Sequence, residues 1–366
     1  MDVQGILHDL FLSFIEPSLM DWVKWIAMWL IGGILIYLAI KRDMEPALLL
    51  PMGFGAILVN LPFSGAITQG LQDGITRIGV AKGGEVGEVF YDQIGDVVGG
   101  VEIGPLNVLF EAGIANELFP LLLFIGIGAM IDFGPLLSNP KLFFFGAAAQ
   151  FGIFMTLSLS VLLGFEWPDA ASISIIGAAD GPTAIYVSNR LNSQYAPAIL
   201  VAAYSYMALV PMIQPPVIRA ITTKAERSIK MPAASKSVSR LTRIIFPITV
   251  TIVAGIIAPK SVALVGFLMF GNLIRECGCL GSLSETAQGA FANIITLLLG
   301  FTIALKLHAD AFLRWETIMI MGLGLIAFIF DTVGGVMLGK LFNVFSKQKV
   351  NPMIGAAGIS AFPMSA

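Results

Sequence analysis

Apolar and polar positions along this chain fall into long blocks rather than the short alternation of a soluble fold. Residues 142–165, 191–218 and 286–305 contain no Asp, Glu, Lys or Arg. Each block is long enough to cross a hydrocarbon core about 30 Å thick as an α-helix. Further apolar segments at 118–131, 171–187, 197–218, 244–258, 261–274 and 317–339 complete the pattern, with a last one beginning at Val350. The first predicted span covers 22–40, opens on tryptophans as a membrane-interface anchor does, and is followed by Lys41 and Arg42. Residues 46–72 are uncharged but interrupted by Pro51, Gly53, Gly55 and Pro62, which predicts a short or broken element. Residues 1–20 carry Asp2, Asp9 and Glu16 without a Lys or Arg, so they read as an amphipathic lead-in and not as a cleavable signal.

Composition strengthens this picture. The chain has 366 residues, 57% hydrophobic and 12% charged, against roughly 25% charged in a soluble domain. The expected class is therefore an all-α polytopic membrane protein. A net charge of −3 with no extended basic block excludes nucleic acid as a partner. The two cysteines, Cys277 and Cys279, are too few and too close for a disulfide framework or a four-ligand zinc site, and read as structural thiols.

Charge also orients the chain. Residues 73–117 hold eight acidic and two basic residues among many glycines, the signature of an extramembrane loop. Residues 219–243 hold seven basic residues against one Glu, which places that linker in the cytoplasm. The expected organisation is N-terminal spans with an acidic external loop over 1–116, a first repeat over 117–218, the basic linker over 219–243, and a second repeat over 244–366. The repeats rest on IIGAAD (175–180) matching MIGAAG (353–358). At nearly the same offset, LLLFIGIGAMIDFGPLL (121–137) aligns with LLLGFTIALKLHADAFL (297–313). If the segment around Asp180 dips in and out on one side, the acidic stretches fall outside and the repeats are inverted. Broken or re-entrant helices meeting at mid-membrane are the pattern of ion-coupled transporters.

Asp180 stands out chemically. It lies in GAADGPT, where Gly181 and Pro182 break the helix and leave carbonyls unpaired beside a carboxylate. An ionisable group at that depth costs several kcal/mol unless partnered. One reading makes it a cap for the following half-helix. The other makes it a cation ligand, because a carboxylate with freed carbonyls and the hydroxyls of Thr183, Ser172 or Ser174 is a hard oxygen set suited to Na+. Gly177 and Gly181 let backbones approach closely around it. Tyr206, within an uncharged helix, needs a partner for its phenol, and Asp180 is the nearest candidate. Asn351, Gly355, Gly358 and Ser360 form the corresponding element of the second half, where the Asn and Ser also suit simple capping.

Four stretches carry a family resemblance: GAADGPTAIY (177–186), VAAYSYMALVPMIQPP (201–216), IGAMIDFGPLLSNP (127–140) and NPMIGAAGISAFPMSA (351–366). Together the chain resembles the β subunit of the biotin-dependent, sodium-pumping decarboxylases, which act on oxaloacetate, methylmalonyl-CoA or glutaconyl-CoA. The resemblance implies a carboxyltransferase subunit that moves carboxylate onto biotin held by a carrier protein or domain. It also implies a small single-span membrane subunit and a homo-oligomeric assembly in the bacterial cytoplasmic membrane. The β subunit is then the translocase that decarboxylates carboxybiotin, exports Na+ and consumes a proton entering from outside. It assigns the essential aspartate to Asp180, the tyrosine to Tyr206, and Asn, Gly and Ser to Asn351, Gly355 and Ser360. Asp180, Asn351 and Ser360 become Na+ ligands, and Asp180, Tyr206 and Ser360 the catalytic groups. A functional Arg and a further span expected beyond the PMSA stretch are not in the sequence, so the C-terminus is expected to be incomplete. A secondary Na+/carboxylate symporter would show the same architecture, and a biotinylated partner distinguishes the two.

Overall fold

A computed structural model describes residues 18–43, 46–62, 64, 66–67, 69–72, 75–78, 101–102, 104–231, 238–346 and 349–358. The N-terminal lead-in, the glycine-rich 79–100 stretch and Ser360 thus lie outside the described residues. Among the described residues five helices are long and apolar enough to cross a membrane, and up to seven if each of two bent pairs counts as one span. The expected all-α polytopic architecture is borne out. Beside it, three short strands, Gln69–Gln72, Ile75–Ile78 and Val101–Glu102, pair antiparallel with the first in the middle. The chain divides into two compact units, Met1–Asn116 with Leu297–Trp315, and Glu117–Thr296 with Glu316–Ala366.

In the smaller unit, the helix Leu19–Arg42 starts with a capping box in which Ser18 and Asp21 satisfy each other's backbone N–H groups. Asp43 closes it in the left-handed conformation, φ 56°. Trp22, Trp25 and Trp29 cluster edge to face on it. It packs on Pro46–Val59, where a Cβ at Gly32 would stand 2.7 Å from the Gly53 carbonyl oxygen and one at Gly53 equally close to that of Gly32. Such backbone contact is how helices associate where no hydrophobic effect acts between them. Pro46–Val59 is 14 residues long with Pro51 inside it, the short element expected for that stretch. Asn60 then bonds the carbonyls of Ala56 and Leu307 and accepts from Ala309 N–H, which ties down the helix break at 305–308.

Within the stretch expected to lie outside the membrane, residues from Pro105 are helical, Pro105–Phe110 continuing as a π-helical turn Glu111–Ala115. Gly104 at the cap and Pro105 at the first position start the helix.

The larger unit is built on equally close crossings. Leu118–Met130 packs on Val262–Glu276 so tightly that a Cβ at Gly128 would lie 1.9 Å from Leu268 O, and one at Gly271 2.0 Å from Ile125 O. Asn272 and Arg275 bond the carbonyls of Ile131 and Met130, and Arg243 lies between Asp132 and Glu276 at 3.8 and 3.6 Å. The apolar run 143–162 is two helices, Phe143–Ala149 and Phe151–Leu162, interrupted at Gln150. Ala196–Ile221 bends by 70° between Met207 and Met212, where Pro211 removes a backbone donor. Trp315–Phe345 is the longest helix, 31 residues.

Candidate functional site

The apolar segment over 171–187 is broken at its centre, where Gly181 and Pro182 predict the break. Trp167–Ser174 tightens into a 3-10 turn, Ile175–Ala178, and Ala179 turns left-handed at φ 50°. A residue with a Cβ is strained there, so the conformation persists only where surrounding contacts impose it. Asp180 follows in extended backbone at the N-cap position of Gly181–Arg190, whose first turn holds Pro182. It is half-buried, and its carboxylate accepts the hydroxyl of Thr183. Ser172 and Ser174 donate their hydroxyls to carbonyls of their own helix, Pro168 and Ala171.

The two glycines flanking this turn have different neighbours. A Cβ at Gly181 would lie 2.3 Å from the ring of Tyr204, so the turn rests directly on that ring. Tyr204 is 0% exposed, and its hydroxyl has no hydrogen-bond partner among the described residues. A Cβ at Gly177 would lie 2.6 Å from Oδ2 of Asp331. Tyr206 points elsewhere: its hydroxyl donates to the carbonyl of Met321 at 2.5 Å, and its ring packs on Gly324. The structure therefore brings Tyr204 to the Asp180 turn and ties the hydroxyl of Tyr206 to helix Trp315–Phe345.

That helix also receives the second motif segment, which forms a 3-10 helix, Pro352–Gly358. Gly355 meets Gly335 backbone to backbone, a Cβ on either approaching the other's carbonyl oxygen to about 2 Å, and Gly339 abuts Pro352. Gln214, beyond the bend of Ala196–Ile221, donates to Ala356 O at 2.7 Å. Asn351 donates to the carbonyls of Arg227 and Ile229 and accepts from Met353 N–H. Among the described residues no hydrogen bond joins Asn351 to Asp180. Both motif segments thus dock on one helix, the first at Gly324–Asp331 and the second at Gly335–Gly339.

Asp331 is a site residue that the pattern reading passed over. It is 1% exposed. Its Oδ1 accepts from Gly152 N–H at 2.7 Å and Ile153 N–H at 3.3 Å, the free donors at the start of Phe151–Leu162. Its signal was present, since Asp331 is the only charged residue between Glu316 and Lys340, and an ionisable group inside a membrane-length apolar run is a functional candidate by default. Tyr204 carried no comparable signal, because only the packing shows which tyrosine of AYSY faces the turn.

Helices of membrane length, a helix broken at Asp180 and carboxylates buried or half-buried among them define a multi-pass membrane protein. A family profile described as Na+-transporting oxaloacetate decarboxylase beta subunit matches residues 24–366. The chain is 48% identical over 342 residues to the methylmalonyl-CoA decarboxylase subunit beta of Propionigenium modestum, covering 93% of this chain and 84% of that protein. It is 42% identical to the oxaloacetate decarboxylase beta chain of Klebsiella pneumoniae, covering 93% and 84%. To the glutaconyl-CoA decarboxylase subunit beta of Acidaminococcus fermentans it is 44% identical, covering 93% and 81%. This chain belongs to the family of Na+-transporting decarboxylase beta subunits, as the motif resemblance implied.

Proposed function

We propose that this subunit decarboxylates carboxybiotin presented by a partner and couples that reaction to Na+ export, with one proton consumed. The single observation that supports this most is Asp180: a carboxylate at a helix break, held by Thr183, in a chain of the Na+-transporting family. Carboxybiotin enters as a substrate whose loss of CO2 leaves negative charge on the ureido nitrogen. The chain's part is to hold a cation beside that charge and to deliver a proton.

The role assigned to Asp180 is cation ligand. Its charge offsets that of Na+, while the turn at 179–181 breaks the regular helical bonding and so frees backbone oxygen for coordination. Loss of the substrate carboxylate removes an anion from the vicinity and weakens Na+ retention, so chemistry and ion release share one coupling free energy. Moving one charge against 100 mV requires about 2.3 kcal/mol, so the two states must differ in Na+ affinity by more than about 50-fold. Tyr206 and Ser360 serve as hydroxyl donors in the proton relay, and Asn351 with Ser360 completes the ligand set. Gly177, Gly181, Gly355 and Gly358 provide the close backbone approaches. The partners in this reading are a carboxyltransferase, a biotin carrier and a small single-span subunit, in a homo-oligomeric complex.

The test is decarboxylation of carboxybiotin by the purified subunit with its small membrane partner, with and without Na+. Wild type should turn over only with Na+, and Asp180→Asn, which keeps shape but removes the charge, should be inactive at every Na+ concentration. Na+-stimulated turnover in Asp180→Asn would remove Asp180 from the ligand set. A subunit that transports a carboxylate with Na+ unaided by any biotinylated partner would be a symporter instead.

A further inference from the structure

The helix Trp315–Phe345 presents one inward stripe of small residues, and Asp331 lies within it. On one side of Asp331 the stripe carries Gly324 and Ala327, which meet the first motif segment; on the other, Gly335 and Gly339 meet the second. The carboxylate is held between two glycines of other helices. A Cβ at Gly152 would come 2.5 Å from Oδ1, and one at Gly177 2.6 Å from Oδ2. The two oxygens are not equivalent. Oδ1 accepts two backbone N–H groups, whereas Oδ2 is buried and has no hydrogen-bond partner among the described residues. None of the ion pairs among the described residues includes Asp331.

Capping the helix Phe151–Leu162 explains Oδ1 but leaves Oδ2 without a function. A neutral asparagine would cap as well, without the penalty of a charge in an apolar interior. The buried face of that helix continues the theme. Gly152, Thr156 and Ser160 follow one another at one-turn spacing of about 6 Å, all buried, and the hydroxyls of Thr156 and Ser160 also lack partners. A buried carboxylate oxygen left open in a membrane-embedded unit is a hard donor suited to a small hard cation, and Thr156 and Ser160 set further open hydroxyl oxygens along the helix that Asp331 caps.

We propose that Asp331 is a second cation-binding carboxylate of the transport machinery, with Oδ2 beside Gly177 as a ligand for Na+ and the Thr156–Ser160 face as its approach. The proposal rests on the reading that Na+ moves through this unit. Gly177 lies three residues before Asp180, so a cation on Asp331 senses the same turn that carries the first carboxylate.

The experiment compares wild type, Asp331→Asn and Asp180→Asn in the assembled decarboxylase complex by equilibrium binding of 22Na+ and by the half-saturating Na+ for decarboxylation. Asp331→Asn keeps an oxygen for the Gly152 and Ile153 N–H groups and puts an amide NH2 where the open oxygen stood. Half-saturating Na+ should rise about ten-fold or more, the loss expected for one charged ligand, with assembly at the wild-type level. Unchanged binding and half-saturation would overturn the proposal. If Asp331→Asn does not assemble, Gly177→Ala decides. Its methyl displaces Oδ2 while leaving the charge, so weakened Na+ binding supports the proposal and wild-type binding overturns it. Persisting Na+ dependence in Asp180→Asn would remove Asp180 from the ligand set, and wild-type turnover that is independent of Na+ would refute the function reading itself. An inactive Asp180→Asn beside an unchanged Asp331→Asn would refute this inference alone.

Discussion

Substituting Gly181 by alanine adds one methyl group beneath the turn that carries Asp180, and the structure sets the size of the disturbance. The new Cβ would stand 2.3 Å from Cε1 and Cζ of Tyr204 and 2.6 Å from Cδ1, where ordinary contact begins at 3.4 Å. At least about 1 Å must open between turn and ring for the repulsion to relax. Tyr204 is 0% exposed, so its ring has no solvent to move into. The displacement therefore goes into the turn at 179–181, where a misplacement of about 1 Å in a reacting constellation lowers turnover on the order of 100-fold. Overpacking of this kind destabilises by roughly 1–3 kcal/mol, which a protein of this size tolerates with reduced yield. The assay is Na+-dependent decarboxylation by the assembled complex, normalised to subunit recovered in the membrane. Gly322→Ala is the control, since a Cβ there meets nothing within 4 Å, and it should match wild type. A Gly181→Ala complex with wild-type rate and half-saturating Na+ would refute the reasoning, because it would mean that the position of the turn does not matter to the ion.

Three further outcomes follow from the same geometry. Tyr206→Phe removes the hydroxyl that donates to Met321 O and should lower turnover more than folded yield. Tyr204→Phe removes a buried hydroxyl without a partner and should leave yield unchanged or improved; a reversed order would exchange their roles. If Asp180 holds Na+, protons compete with Na+ for its carboxylate, because a protonated carboxyl cannot hold the ion, so lowering pH should raise half-saturating Na+ before maximal rate falls. Half-saturation constant between about pH 5 and 8 would send the proton by another route. Cysteines at Lys230 should react with impermeant thiol reagents only from the cytoplasmic side and those at Glu88 only from outside; labelling of both from one side would overturn the inverted-repeat expectation.

What could be read from the sequence, and what could not, divides along physical lines. The break at Asp180 is written locally, since Gly181 and Pro182 dictate a helix restart wherever the segment sits. The apolar runs are equally legible, because span length depends on the bilayer and not on neighbours. Asp331 was visible as a lone charge in an apolar run, but its role was not, because that comes from Gly152 and Gly177, distant in sequence. The two tyrosines differ by two positions, which on a helix turns them to nearly opposite faces, and only the packing partner distinguishes them. Asn351 suited either a ligand or a cap by composition, and its bonds to Arg227 and Ile229 in the basic linker follow from a chain path that no local pattern encodes.

Coupling is read directly as 22Na+ movement in sealed proteoliposomes containing the full complex, with decarboxylation followed in the same vesicles. Na+ should accumulate once decarboxylation starts, stop accumulating when the carboxylated substrate is exhausted, and fail to accumulate in Asp180→Asn, together with loss of Na+-stimulated turnover. Decarboxylation at the wild-type rate without Na+ movement, or Na+ movement that persists in Asp180→Asn, would contradict that prediction.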